Sequence, residues 1–173
     1  MTPPHTPAAC GIVVEPARRE DFAAVLDLNE SAIPHVSPID MAALEELATQ
    51  SMSFTVARDD AGVVAGFLLV LPEGEQYASL NYRYFADRYP SFAYVDRIVV
   101  SERHRGAGIG SRLYSHLLTR ARADKPMVAC EVNLKPPNPA SVAFHEGLGF
   151  VGVDEQDTDG GSKRVLLMVK KLD

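Results

Sequence analysis

One stretch constrains this chain more than any other, because it joins an apolar segment, closely spaced glycines and a helical pattern without a break. Residues 95–100 form a largely apolar run that predicts a strand, and a short polar loop over residues 101–104 follows. Residues 105–110 read RGAGIG and turn into the helical pattern. Such a turn presents free backbone N–H groups and the positive end of a helix dipole to one point. The sequence therefore predicts a site for a pyrophosphate-bearing cofactor over residues 105–111.

Two common phosphate-binding motifs do not fit these glycines. A Walker loop places Lys and then Ser or Thr directly after its last glycine, whereas Ser111 and Arg112 follow Gly110 here. A dinucleotide fingerprint has the spacing Gly-x-Gly-x-x-Gly, and Gly106, Gly108 and Gly110 are each two residues apart. A plain strand-to-helix connection, with glycines for tight packing, is the alternative that needs no ligand.

The pattern Arg-x-x-Gly-x-Gly after a strand resembles the acetyl-CoA pyrophosphate loop of the GNAT superfamily, the acyl-CoA-dependent N-acyltransferases. A strand over residues 127–133, a short helix opened by Asn138 and a closing Gly149-Phe150 follow in the order typical of that family. The resemblance covers residues 95–150, about a third of the chain. It implies a single-domain α/β (α+β) fold with a mixed, mostly antiparallel sheet, flanking helices and splayed central strands.

The resemblance also implies the activity and the cofactor contacts. An acetyl group would pass from acetyl-CoA directly to a primary amine of a small molecule or peptide. The main chain of the strand would pair with the pantetheine arm and the acetyl oxygen, and Asn138 would contact the same arm or serve as a helix cap. A non-catalytic acyl-CoA-binding sensor is the alternative function. The implied strand and loop contacts are Ile98, Val99, Val100, Arg105, Gly106, Ala107, Gly108, Ile109, Gly110 and Ser111.

Two carboxylates inside apolar strands, Glu131 and Asp96, are the candidates for the general base. A charge there is costly unless it is paired or faces a cleft. Strand alternation places Glu131 and Asn133 on one face, where both could reach a substrate channel, and Cys130 on the other. A covalent route through Cys130 is therefore the less favoured mechanism.

Asp96 has a structural alternative to a catalytic role. Its neighbour Arg97 would point to the opposite face of a regular strand. The expected ion-pair partners of Asp96 are therefore arginines from the preceding connection, Arg83 and Arg88.

His145 lies five residues before Phe150, where many family members have a Tyr that donates a proton to the departing thiolate. A histidine titrates near neutral pH and could perform the same step. The alternatives are that His145 is a packing substitute, or that Tyr94 or a tyrosine from the preceding connection acts instead.

The remaining elements follow from periodicity and turn residues. Residues 72–90 are predicted as a long connection whose aromatic side chains either line an acceptor pocket or form a lid over the sheet. The helices are expected over 19–32, 41–49, 108–122 and 139–146, and the strands over 11–15, 54–58, 63–71, 95–100, 127–132, 150–153 and 164–170.

Composition limits the fold and function classes that remain possible for this chain. The 173 residues are 46% apolar with a net charge of −6, which suits one folded domain over residues 11–173 and disfavours nucleic-acid binding. Residues 1–10 are expected to be a flexible tail without signal-peptide features. No apolar stretch approaches the roughly 20 residues of a membrane helix, and no histidines or cysteines show metal-binding spacing. Two cysteines suggest no disulfide framework, so a reduced, cytoplasmic protein is expected, and the family resemblance allows a homodimer.

Overall fold

The computed structural model describes residues 11–173, so the predicted tail over residues 1–10 lies outside the described part of the chain. Seven strands of that part form one sheet in the order β1-β2-β3-β4-β5-β7-β6. Every neighbouring pair is antiparallel except β4 with β5, as the family resemblance implied. The strands are β1 (Val13–Pro16), β2 (Ser53–Arg58), β3 (Val64–Pro72), β4 (Ala93–Val100), β5 (Met127–Lys135), β6 (Val151–Thr158) and β7 (Lys163–Lys171).

Five helices cover the two faces of this sheet in the described residues. Side chains of the first three pack into one buried cluster with alternate residues of the central strands, among them Phe67 and Tyr94. The last two pack against the opposite face, where Leu113 and Tyr114 are fully buried. The helices are α1 (Phe22–Ser31), α2 (Met41–Gln50), α3 (Leu80–Arg88), α4 (Ile109–Ala121) and α5 (Pro139–Gly147).

Helix α3 lies within residues 72–90, for which the sequence predicted a long connection without a helix. The Ser79 hydroxyl caps its first turn by accepting from the Tyr82 N–H at 3.3 Å. Tyr82 and Phe85, spaced three residues apart, are both buried against the sheet. Aromatic residues have weak helix propensity, so this helix depends on tertiary packing more than on its own sequence.

The hairpin of β6 and β7 also differs from the prediction. Strand β6 was expected to end at residue 153, but it continues to Thr158 through the acidic residues expected to form the turn. These residues lie on an exposed edge strand, where the Arg164 guanidinium donates to Glu155 and Asp157 at 2.8 and 2.9 Å. Charged side chains are compatible with such an edge, because the outer face of the strand meets water.

Strands β4 and β5 separate soon after they begin to pair. Their parallel ladder has two positions, Ala93 with Val128 and Tyr94 with Ala129. Beyond them β4 continues to Val100 without a partner on its β5 side. The predicted splaying of the central strands is therefore present, and it leaves a row of backbone N–H and C=O groups free along one edge of β4.

A bulge in β4 lies directly beyond this point. In the register with β3, Arg97 pairs with Leu69 and Val95 pairs with Val70, so Asp96 has no opposing residue. A bulge interrupts the alternation of side chains between the two faces of a strand. Asp96 is consequently free to turn toward the same face as Arg97.

The packing of α3 gives a prediction for stability. Replacing Phe85 with Ala should lower the free energy of unfolding by about 3–5 kcal/mol, because the ring is fully buried among aromatic neighbours. Denaturant unfolding measures this change. The exposed residue Asp87, on the same helix, provides the control, and Asp87→Ala should change stability by no more than about 0.5 kcal/mol. Equal effects of the two substitutions would show that α3 does not pack on the sheet.

Candidate active site

A cavity of about 920 Å³ opens where β4 and β5 separate. It extends from the start of α4, through the gap between the strands, to the face covered by α1 and α3. Every site residue predicted from sequence lines this cavity except Ala107. The lining set is Asp96, Ile98, Val99, Val100, Arg105, Gly106, Gly108, Ile109, Gly110, Ser111, Glu131, Asn138 and His145.

The loop before α4 has the backbone shape of an anion site. Gly106 and Gly108 have φ of +79° and +75°, in the left-handed region that glycine adopts most easily. A Cβ built on either residue would meet no atom within 4 Å, so the space beside the loop is open. Gly108 is the N-cap of α4, and the first N–H groups of that helix have no intrahelical acceptor.

Gly110 is required for a different reason. A Cβ at this position would lie 2.9 Å from Cζ of Phe144 on α5. Glycine here allows α4 and α5 to approach closely. The packing explanation that the sequence left open therefore applies to Gly110, whereas Gly106 and Gly108 border open space.

The base of the loop is held by the turn between β2 and β3. His104 Nε2 lies 3.0 Å from Oδ2 of Asp59. Hydrogen bonds from the Val63 N–H and from His104 lower the pKa of Asp59. Asp59 therefore stays ionised at neutral pH and anchors the residue immediately before Arg105.

Asp96 pairs with its own neighbour, which corrects the expectation that it pairs with Arg83 or Arg88. Arg97 Nε donates to Asp96 Oδ2 at 2.7 Å, and the Tyr77 hydroxyl donates to Oδ1 at 2.5 Å. The prediction assumed a regular strand, and the bulge at Asp96 removes that assumption. Burial raises the pKa of Tyr77, and the Asp96 charge raises it further, so the phenol remains a donor.

Arg97 is buried and fully engaged by hydrogen bonds. Its Nη1 donates to Asn29 Oδ1 at 2.8 Å and to the Ser37 carbonyl at 3.1 Å. Its Nη2 donates to the Ser37 hydroxyl at 3.3 Å. The guanidinium thus ties β4 to α1 and to the loop between α1 and α2, and its charge is matched by that of Asp96.

Glu131 lies across the gap from this pair and forms no ion pair with any residue of the described part of the chain. The Tyr94 hydroxyl donates to its Oε2 at 2.7 Å. Burial raises the pKa of Glu131 to about 8; the charge of Asp96 adds to this effect, while hydrogen bonds from Tyr94 and Asn81 oppose it. The exposed part of the Glu131 side chain faces the cavity. A carboxylate that titrates near neutral pH beside a cleft is suited to proton transfer.

The family model for GNAT acetyltransferases matches residues 22–150 of this chain. The chain belongs to the GNAT acetyltransferase family. The match includes the loop, the bulged strand β4 and Glu131. No curated protein matches the chain by sequence.

Solved structures of similar shape include several related enzymes and cofactor complexes. The ribosomal-protein-alanine N-acetyltransferase from Brucella melitensis is 22% identical, with a TM-score of 0.70 over 92% of this chain and 99% of that one. Arabidopsis thaliana Naa50, solved with the bisubstrate analogue CoA-Ac-MVNAL, is 15% identical, with a TM-score of 0.70 over 93% and 99%. The yncA protein from Salmonella typhimurium, solved with acetyl-CoA, is 21% identical, with a TM-score of 0.70 over 94% and 95%. At these identities the likeness establishes the GNAT fold.

His145 is buried inside this GNAT fold, and both of its ring nitrogens are engaged. Nδ1 lies 2.7 Å from the Ser141 carbonyl, so Nδ1 carries the proton, and Nε2 lies 2.7 Å from the Tyr114 hydroxyl. Burial lowers the pKa of His145, which favours the neutral ring that accepts from Tyr114. This geometry favours the packing alternative over the proton-donor role, because the single ring proton is directed at Ser141.

Cys130 precedes Glu131 on β5 and packs on the opposite face of the sheet, in the cluster with Tyr114. Burial raises the pKa of its thiol well above the usual range, and the charge of Glu131 contributes further. The thiolate required for a covalent route is therefore costly to form at this position.

The described residues contain neither a candidate metal cluster nor a helix that could span a membrane. Among residues 11–173, no group of three or more His, Cys, Asp or Glu side chains is arranged to hold a metal ion. None of the helices in this part of the chain has the length and apolar character needed to span a bilayer.

Sequence reasoning did not predict the hydrogen-bond partners of the candidate catalytic residues. Arg97 is 68 residues from Asn29 and 60 residues from Ser37 in the sequence, and the only local signal for these contacts was a charged residue in an apolar strand. Tyr77 and Asn81 belong to the connection that was expected either to line a pocket or to form a lid, and both line the cavity. The other aromatics of that connection, including Tyr82 and Phe85, belong to the core.

The contacts of Glu131 predict opposite pKa changes in two variants. Asp96→Asn should lower the pKa of Glu131 from about 8, because it removes a negative charge and leaves that of Arg97 unmatched. Tyr94→Phe should raise it, because it removes a hydrogen bond to the ionised form. Carboxyl ¹³C chemical shifts followed against pH measure both changes. Changes of the same sign in the two variants would contradict the arrangement described above.

Proposed function

We propose that residues 11–173 form an N-acetyltransferase domain that transfers an acetyl group directly from acetyl-CoA to a primary amine. The main observation behind this proposal is that one cavity joins the loop before α4, the free edge of β4 and the carboxylate of Glu131. Family membership and the acetyl-CoA and bisubstrate complexes of similar structures support this proposal. The acceptor class is a small-molecule or peptide amine.

The loop and the strand edge would hold the cofactor. The open space beside Gly106 and Gly108, together with the N-terminus of α4, fits a pyrophosphate. The free backbone groups of Ile98, Val99 and Val100 fit the amide groups of a pantetheine arm, which would continue the sheet as an added strand. A backbone N–H of this edge would also stabilise the negative charge that develops on the acetyl oxygen.

Glu131 would accept the proton of the attacking amine. The amine nitrogen forms a bond to the carbonyl carbon as the carbon–sulfur bond breaks, CoA would depart as its thiolate with that electron pair, and the amine proton passes to the Glu131 carboxylate. A base that titrates at about 8 is ionised in a useful fraction of molecules near neutral pH and still binds a proton effectively. Asp96 contributes indirectly, since its charge helps to raise the pKa of Glu131.

The loop assignment gives a test of cofactor binding. Gly108→Ala should weaken acetyl-CoA binding by about tenfold or more, because it strains a left-handed residue at the proposed phosphate site. Isothermal titration calorimetry measures this loss. Gly74→Ala is the matched control, since Gly74 has φ of +87° and equally open surroundings but lies outside the cavity lining.

Equal acetyl-CoA affinity in the Gly108 and Gly74 variants would contradict the phosphate assignment. Tight binding of acetyl-CoA without turnover on any amine would instead favour the non-catalytic sensor.

The proton-transfer step gives a second test. Glu131→Gln should lower kcat by about 10²–10⁴-fold, the usual contribution of general base catalysis. In the wild type, kcat/KM should rise with pH and level off above about pH 8, as Glu131 loses its proton. The Gln variant should lose that part of the pH dependence, while the exposed control Glu46→Gln should keep it. An unchanged pH profile in the Glu131 variant would remove this residue from the mechanism.

Glu131→Gln, which should lower kcat, should raise the free energy of unfolding at alkaline pH. When folded, Glu131 holds its proton to about pH 8, whereas in the unfolded chain it ionises near its ordinary pKa of 4.5. Between these values the unfolded state is increasingly favoured, at a cost on the order of 4 kcal/mol by pH 9. Glu131→Gln should therefore gain stability relative to wild type as the pH rises, as measured by denaturant unfolding. No such gain would mean that the folded carboxyl titrates normally.

A further inference from the structure

The cavity has two chemically different sides, separated by the sheet. The loop before α4 and residues of α5 line the side assigned to the cofactor. The other side, reached through the gap between β4 and β5, is lined by the loop after α1, by residues 77–81 and by the β6–β7 hairpin. Glu131 and Asp96 face this second side, where Tyr77 and Tyr94 contact them. If the proposed function holds, the second side receives the amine.

The second side of the cavity is the acceptor side, and its charged side chains are not all paired. Among the described residues lining it, Arg97 is committed to Asp96 and Ser37. Lys163 Nζ lies 3.5 Å from Asp159 Oδ2 and is paired with it. No Lys or Arg of this lining is left without an acidic partner, whereas Glu131 has only neutral hydrogen-bond donors. His35 is an exposed imidazole of the same side.

The walls of this side are held in place by hydrogen bonds across the fold. Asn133 Nδ2 donates to the Pro34 and His35 carbonyls at 3.3 and 3.4 Å, which fixes the loop after α1 to β5. Gln156 Nε2 donates to Asn81 Oδ1 at 2.9 Å, which fixes β6 to α3. The charge pattern is therefore presented on a preorganised surface.

We infer, on the basis of the proposed function, that the acceptor is an α-amine whose neighbouring carbonyl is an amide, as at a peptide N-terminus, and that free amino acids are rejected. The ammonium group of such an acceptor would pair with ionised Glu131. A free amino acid would bring its carboxylate, two bonds from the amine, close to Glu131 and Asp96 with no unpaired Lys or Arg of this lining to receive it. Burying an unpaired charge beside like charges is costly, which provides selection against that class.

The pKa of Glu131, compared with those of possible amine acceptors, also favours an α-amine. The pKa of Glu131, about 8, is matched to that of a peptide α-amino group at about 7.7–8.0. A lysine side chain has a pKa of about 10.4, so transfer of its proton to Glu131 would be less favourable.

The test compares three acceptors with the full-length protein and acetyl-CoA. They are alanine amide, free alanine and an N-terminally blocked peptide with one lysine. The kcat/KM for alanine amide should exceed that for free alanine by about tenfold or more, because free alanine would bury an unpaired charge. It should also exceed that for the lysine peptide, whose amine has the higher pKa. Release of CoA and mass spectrometry of the products provide the measurements.

A pair of variants tests whether charge causes the preference. Asp159→Asn frees the ammonium group of Lys163 at the cavity wall, and Asn tolerates the φ of +52° at this position. The ratio of kcat/KM for alanine amide to that for alanine should fall about threefold or more, a partial effect because Asp159 is exposed. Asp159→Asn combined with Lys163→Gln should restore the wild-type ratio. The same two acceptors are used throughout, so their intrinsic reactivities cancel.

The outcomes separate this inference from the proposed function. Acetylation of free alanine as efficient as that of its amide, or preferred acetylation of the lysine peptide, would overturn the inference alone. A preference for the amide that Asp159→Asn leaves unchanged would overturn the charge argument on which the inference rests. No acetylation of any of the three amines would also overturn the inference, whereas the proposed function would fall only if the protein bound acetyl-CoA and turned over no primary amine at all.

Discussion

The separation of β4 from β5 is the constraint on which the rest of this structure depends. Two paired positions hold the strands together at Ala93 and Tyr94, and the ladder then ends. The opening creates the cavity, frees one edge of β4 and connects the two faces of the sheet. A regular parallel ladder would fill this gap with hydrogen bonds and leave no place where a cofactor on one face could meet an amine on the other.

Buried charge is concentrated beside this opening and is only partly compensated. The bulge turns Asp96 toward Arg97, so this pair is neutral overall and is further satisfied by Tyr77 and Ser37. Glu131 receives hydrogen bonds but no counter-charge, and burial therefore raises its pKa. A protein selected for stability alone would have little reason to keep a carboxylate there, since the charge opposes folding above its normal pKa. The position of this unfavourable group at the cavity is an argument for its use.

Local signals in the sequence predicted much of the fold and of the cofactor side. The strand, loop and start of α4 were predictable because glycine spacing and apolar periodicity lie within one segment. The Asp96–Arg97 pair was not predictable, because it depends on a bulge whose register is set by β3. Helix α3 was missed because its aromatic residues become favourable only when packed on the sheet. The engagement of His145 likewise required Tyr114, which is 31 residues away in the sequence.

The alternation of side chains along β5 bears on the choice between direct and covalent transfer. Cys130 and Glu131 are adjacent, so their side chains face opposite sides of the sheet, and a proton on one is poorly placed to pass to the other. Burial raises the pKa of the Cys130 thiol, and the adjacent Glu131 charge opposes thiolate formation further. A covalent route would require this costly thiolate and then a second transfer through the gap. Direct attack by the amine requires only that Glu131 accept one proton on the side where the acceptor binds, which is the simpler use of the groups that the fold brings together.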